Sequence, residues 1–180
     1  MPSDPIVLSI DTSAAFCAAA VVSGDKVLAE TSEEMTRGQA EVLLPTIERV
    51  LGEAGCGWSD LAAVACCTGP GNFTGIRIAV SCVRGVSLAQ EIPAIGVPAF
   101  EALGGAPGLI RAATAGRRYV WDGTSLRIEE GEAPVTAPLH VEVGRYAALR
   151  LNETHLPPAP VYIRPPDAAL PSEAPPQVLD

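Results

Sequence analysis

Positive charge is scarce in this sequence. Lysine and arginine number 12 against 21 aspartates and glutamates, a net charge of −9, and the one lysine is Lys26. A free-standing nucleic-acid binder needs a basic footprint to neutralise phosphates, and this balance argues against one, while leaving room for RNA work beside a basic partner. Histidine is scarcer, with His140 and His155 alone. The two do not stand at metal-ligand spacing, and the body of the chain before them offers no base for a hydrolase triad. No G-x-S-x-G elbow occurs. Long apolar runs are missing too: the longest, Ala14 to Val22, falls far short of a bilayer span, so no membrane association is expected. The first residues, Met1-Pro2-Ser3-Asp4-Pro5, hold no Lys or Arg and lead into no secretory apolar segment. The five cysteines contain no C-x-x-C pair, and Cys66 and Cys67 lie together in an apolar run as small buried residues. The expected compartment is the reducing cytoplasm.

What is present is enough apolar material for a core. The 180 residues are 48% apolar and 18% charged, which fits one domain, or one domain with a small appended lobe. Ten of the 17 prolines follow Glu132, so residues 133–180 read as a loose lobe ending in an irregular tail. Three strand-like pieces open the body: Ile6 to Ile10, Phe16 to Val22, and Lys26 to Glu30 after a Ser23-Gly24-Asp25 turn. A helix is expected over Gln39 to Ala54 on the stripe Ala40, Leu43, Leu44, Ile47, Val50, Leu51, Ala54, with Pro45 inside it and Gly55 as its stop. A buried strand Leu61 to Cys67, a tight loop and a second helix Phe73 to Gln90 follow. After them come short strands at Ile95 to Val97, Leu109 to Ala113, Arg118 to Asp122 and Ser125 to Glu129, with a helical turn at Phe100 to Leu103. His140 falls in Leu139-His140-Val141-Glu142-Val143, where strand alternation puts it on the solvent side with Glu142. The order is that of an α/β mixed sheet with crossover helices.

The second helix carries more apolar surface than one sheet requires. Ile76, Ile78, Ala79, Val80, Cys82, Val83, Val86 and Ala89 occupy an arc of about 200°, against the roughly 100° that faces a core. Either the first helix and the C-terminal lobe cover the excess, or a partner chain does.

Two segments carry candidate chemistry. Thr68-Gly69-Pro70-Gly71-Asn72-Phe73-Thr74-Gly75-Ile76-Arg77 joins a strand to a helix N-terminus, where free backbone N–H groups can hold an anion. It is no Walker A loop, since no Lys-Ser/Thr follows Gly75. Read alone it is a structural turn whose glycines permit close packing, with an anion-binding loop of Gly69, Gly71, Asn72, Thr74 and Gly75 as the alternative. Asp11-Thr12-Ser13 ends the first strand, either as a capped Asx turn or as a vestigial phosphate loop whose carboxylate could hold magnesium through water.

These same motifs, with Ile95-Gly96-Val97, Leu43-Leu44-Pro45 and the tail Val161-Tyr162-Ile163-Arg164-Pro165-Pro166-Asp167-Ala168, resemble the TsaB family of bacterial tRNA threonylcarbamoyladenosine biosynthesis proteins. The resemblance covers residues 6–122 well and 133–180 in patches. It implies an actin-like ATPase-domain fold (the sugar kinase and Hsp70 class, ribonuclease H-like), with an N-terminal subdomain over 1–105 and a reduced C-terminal lobe over 106–180. It implies a non-catalytic scaffold, without cofactor, that pairs with the paralogous transferase TsaD. A TsaE-type ATPase joins them, and tRNA is met only through the complex. The pairing would use the two body helices, so Leu43, Leu44, Ile47, Leu51, Val80, Val83 and Val86 are the expected partner residues. The metal-binding H-x-x-x-H of TsaD is absent from Met35 to Gln39 and beyond, and Gly38-Gln39-Ala40-Glu41 stands where many TsaB chains read Gly-His-Ala-Glu. The alternatives are a homodimeric binding module and a glycoprotease-like protein of the same fold.

Overall fold

The computed structural model describes residues 4–112, 116–131 and 138–163. Three strands, β1 (Ile6–Asp11), β2 (Phe16–Ser23) and β3 (Lys26–Glu34), form an antiparallel meander. The crossover helix α1 (Gln39–Ala54) leads to β4 (Leu61–Cys67), which lies parallel to β1. Helix α2 (Phe73–Gln90) then returns the chain to β5 (Ala94–Val97), parallel to β4. The sheet order β3-β2-β1-β4-β5 is that of the ribonuclease H-like sheet of actin-like ATPase domains. A single turn, α3 (Ala99–Ala102), leads to a second sheet of β6 (Gly108–Ala112), β7 (Arg117–Trp121) and β8 (Leu126–Glu130). The last helix is α4 (His140–Leu149).

The inner strands read as continuous apolar runs because both faces of the sheet are covered. Leu8, Ile10, Val64 and Cys66 point to one face, under Leu43, Ile47 and Val50 of α1 and Ile76, Ala79 and Val83 of α2. Val7, Ala63, Ala65 and Cys67 point to the other, under Leu139 and, on α4, Val143 and Ala147. Strand alternation thus sends the adjacent Cys66 and Cys67 into two different cores. Burial pushes the Cys66 thiol well above its ordinary pKa, as suits a small apolar filler.

Pro45 sits inside α1 without interrupting it. Pro45 and Glu41, whose carbonyl loses its helical donor, are both exposed, so solvent serves in place of the missing bond. The helix stops at Gly55 in the left-handed region (φ 70°), as the sequence indicates.

One sequence expectation is corrected here. Residues 140–143 are helical, and His140 is only 6% exposed. Short apolar alternation cannot separate a strand from the first turn of a helix. The helix wins because the sheet face above Val7 and Val22 needs a cover, and α4 supplies it although it lies in the segment expected to form a separate lobe. Gly144 lets α4 come close, since a Cβ there would sit 2.7 Å from Ser9 Oγ and 2.9 Å from Val22 Cγ2. Ser9 also donates its hydroxyl to the His140 carbonyl at 2.5 Å.

Candidate functional site

The turn between β1 and β2 is sealed. Asp11, Thr12 and Ser13 are fully buried. One Asp11 carboxylate oxygen accepts the Ser13 N–H at 2.9 Å and the Ser13 hydroxyl. The other accepts the N–H of Leu139, the residue that caps α4, at 3.0 Å. Thr12 donates its hydroxyl to the Gly75 carbonyl at 2.7 Å. Groups of the kind that could meet a phosphate or a hydrated magnesium ion are instead spent on holding α2 and α4 to the sheet, as charge-assisted and buried bonds.

The loop before α2 is closed in the same way. Asn72 caps the helix, its side-chain oxygen accepting from the N–H groups of Thr74 at 3.0 Å and Gly75 at 3.2 Å. Those are the donors a helix N-terminus would offer an anion. The Asn72 N–H goes to the Ser13 carbonyl at 2.6 Å, and the Gly69 carbonyl accepts from Ala99 at 2.8 Å. A Cβ on Gly71 would lie 2.2 Å from the Ser13 carbonyl oxygen, and one on Gly75 only 1.9 Å from that of Thr12. The glycines therefore admit backbone where a phosphate loop would admit ligand.

Among the described residues, neither histidine ring is paired with a hydroxyl nucleophile. His140 Nε2 lies 3.1 Å from Glu30 Oε2, and its Nδ1 is buried with no partner. Burial pulls the His140 pKa below its ordinary value, against the opposing pull of Glu30 and Asp11. His155 Nε2 lies 2.7 Å from the Arg150 carbonyl oxygen. Among the described residues no three His, Cys, Asp or Glu side chains stand close enough to share a metal ion, and no helix is long and apolar enough to cross a membrane.

What remains open is the face of α1 and α2 away from the sheet. Here the expected partner residues divide. Leu43, Ile47, Leu51, Val80 and Val83 are at most 5% exposed and pack in the chain's own core, with Leu43 also reaching the floor of the groove between α1 and α2. Leu44 is 53% exposed and Val86 half-buried, and both line a groove of about 600 Å³ between the two helices. Ala40 adds to the α1 side, and Ile78, Cys82 and Ala89 to the α2 side. The broad apolar arc of α2 is thus two stripes. Ile76, Ala79, Val80 and Val83 meet the sheet, while Ile78, Cys82, Val86 and Ala89 face the groove at i, i+4, i+8 and i+11. Burial lifts the Cys82 thiol to about 11, so it stays protonated and adds to the groove's apolar lining.

Comparison with known proteins adds a family to this fold. Residues 26–127, more than half of the chain, match the family model of TsaD, tRNA N6-adenosine threonylcarbamoyltransferase. The tRNA threonylcarbamoyladenosine biosynthesis protein TsaB of Buchnera aphidicola (subsp. Schizaphis graminum) is 39% identical over 98 residues, 54% of this chain and 46% of that one. The TsaB of Escherichia coli K12 is 35% identical over 91 residues, 51% of this chain and 39% of its own. This chain therefore spans less than half the length of these relatives. A crystal structure from Pseudomonas aeruginosa, described as having similarity to peptidase YEAZ, shares the fold with a TM-score of 0.69 at 21% identity, covering 89% of this chain and all of that one. The chain belongs to the tRNA N6-adenosine threonylcarbamoyltransferase family, and it is similar to the TsaB proteins over about half of its length.

Proposed function

We propose that this chain serves tRNA N6-threonylcarbamoyladenosine synthesis in the cytoplasm as a non-catalytic scaffold, docking a TsaD-type transferase and activating it. The observation that carries this is the open apolar groove between α1 and α2, with Leu44 half exposed at its rim. A monomer gains nothing from leaving such a surface in water, whereas a partner's helix pair buries it as a four-helix contact. The sealed β1–β2 turn supports the same reading, since Asp11 is spent on α4 and leaves nucleotide chemistry to the partner. A TsaE-type ATPase would act on the pair, and tRNA would be held by the complex rather than by this acidic chain.

The test is reconstitution. The TsaD-type paralogue from the same source, supplied with threonylcarbamoyl-adenylate, tRNA and a TsaE-type ATPase, should form modified adenosine only when this chain is added. Product formed equally well without it would overturn the scaffold role. Transfer or proteolysis by this chain alone, abolished by one substitution within it, would overturn its non-catalytic character. Self-association with no affinity for the paralogue would favour the homodimeric alternative.

A further inference from the structure

The end of the described chain reaches the groove at one point. Beyond α4 an extended strap crosses the sheet's β5 side, with Pro158 buried against Gly96 and the Val161 N–H donating to the Thr68 carbonyl at 2.8 Å. This carries Tyr162 to the first turn of α2. Its ring stacks on Phe73 with centroids 5.0 Å apart, and its hydroxyl accepts from Arg77 Nε at 2.8 Å. The Arg77 guanidinium lies 3.9 Å from the Phe73 ring centroid and 5.8 Å from that of Tyr162. An arginine on an exposed helix face ordinarily samples many rotamers, and this one is held by two rings and a hydrogen bond.

Arg77 is also the one charged side chain lining the α1–α2 groove among the described residues. Its Nε is taken by Tyr162, and its terminal amino groups have no hydrogen-bond partner among the described residues. The groove therefore presents an apolar floor with a single fixed fork of donors at its edge. We propose that Tyr162 is a positioning residue for docking: the C-terminal strap presents Arg77 to a carboxylate carried on the partner's helix pair. The inference rests on the groove being the docking face for a TsaD-type chain. The fork geometry of a guanidinium suits a carboxylate, and its prior ordering removes a cost that binding would otherwise carry.

A double-mutant cycle tests it. Affinity for the TsaD-type paralogue would be measured for wild type, Arg77→Met, Tyr162→Phe, Tyr162→Ala and the double variants, at low and high salt, with a melting curve of each chain. Tyr162→Ala should weaken binding about tenfold, and Tyr162→Phe, which keeps the stack, about threefold. On the Arg77→Met background both effects should shrink below about twofold, and the salt dependence of binding should fall, because the residue being positioned is gone. A purely structural Tyr162 would instead lower melting temperature and affinity alike in both backgrounds, and additive losses of that kind overturn the proposal. Unchanged affinity in Tyr162→Ala overturns it equally, and Tyr162→Phe carries the test where the alanine variant fails to fold. A wild-type chain that does not bind at all overturns the docking reading itself, before any variant is compared.

Discussion

The carboxylate of Asp11 accepts the backbone N–H of Leu139 at 3.0 Å, across 128 positions of sequence. A strand end and a helix start are joined by one buried bond. Asp11→Ala removes the acceptor for the Leu139 and Ser13 N–H groups together and leaves both buried. The expected loss is about 2–4 kcal/mol of unfolding free energy, read from the urea midpoint at unchanged slope. Asp11→Asn keeps one acceptor oxygen and should lose less. Equal stability of Asp11→Ala and wild type would show that the bond does not hold α4.

Gly75 faces a harder limit. The nearest neighbour of an added Cβ is the Thr12 carbonyl oxygen, backbone that cannot swing aside. Gly75→Ala should cost more than about 3 kcal/mol, beyond ordinary overpacking. At Gly144 the nearest atoms belong to the Ser9 and Val22 side chains, so Gly144→Ala should cost about 1–2 kcal/mol. Thermal melts of the two variants in parallel check the order, and a smaller loss at Gly75 than at Gly144 would refute it.

The pH dependence of stability follows from His140. Its pKa is lowered from 6.5, mainly by burial, with Glu30 and Asp11 opposing. The unfolded chain therefore takes up the proton first as pH falls. Stability from this group is complete above about 6.5, declines as pH drops from there through the folded pKa, and levels off below it. His140→Leu should flatten the curve below about pH 6.5, since Glu30 is exposed and tolerates the loss of its partner. A slope unchanged in that variant would assign the dependence to other groups.

The two stripes of α2 and their neighbours on α1 predict different outcomes for the same chemistry. Val83→Glu puts a carboxylate into the core at a 2% exposed position and should unfold the chain. Leu44→Glu sits in solvent at 53% exposure, so melting should move little while docking to the proposed partner weakens by about 2 kcal/mol or more. Gel filtration with the paralogue and a melting curve of the isolated chain separate the two, and a Leu44→Glu chain that docks normally would place the partner elsewhere.

Much of the fold was legible because periodicity and punctuation agreed. The 3.6-residue stripe of α1 ended on Gly55, and α2 began at Asn72 after a glycine-rich loop, so both helices were bounded from the sequence alone. Helix α4 was not legible, because Leu139 to Val143 alternates like a strand and only the uncovered sheet face makes it a helix. At the candidate site the apolar excess of α2 could be seen but not apportioned. The stripe of Ile78, Cys82, Val86 and Ala89 differs from the core stripe by a rotation about the helix axis, which only the sheet's position fixes. The strap contact between Arg77 and Tyr162 joins residues 85 apart and leaves no local pattern to find.

The docking claim is tested most directly by amide hydrogen exchange of this chain with and without the TsaD-type paralogue. New protection is expected only in α1 around Ala40 to Leu44, in α2 from Phe73 to Ala89, and in the strap at Val161 and Tyr162. Protection centred on the β6–β8 sheet or the β3 edge, with the α1–α2 groove exchanging as freely as in the isolated chain, would contradict it.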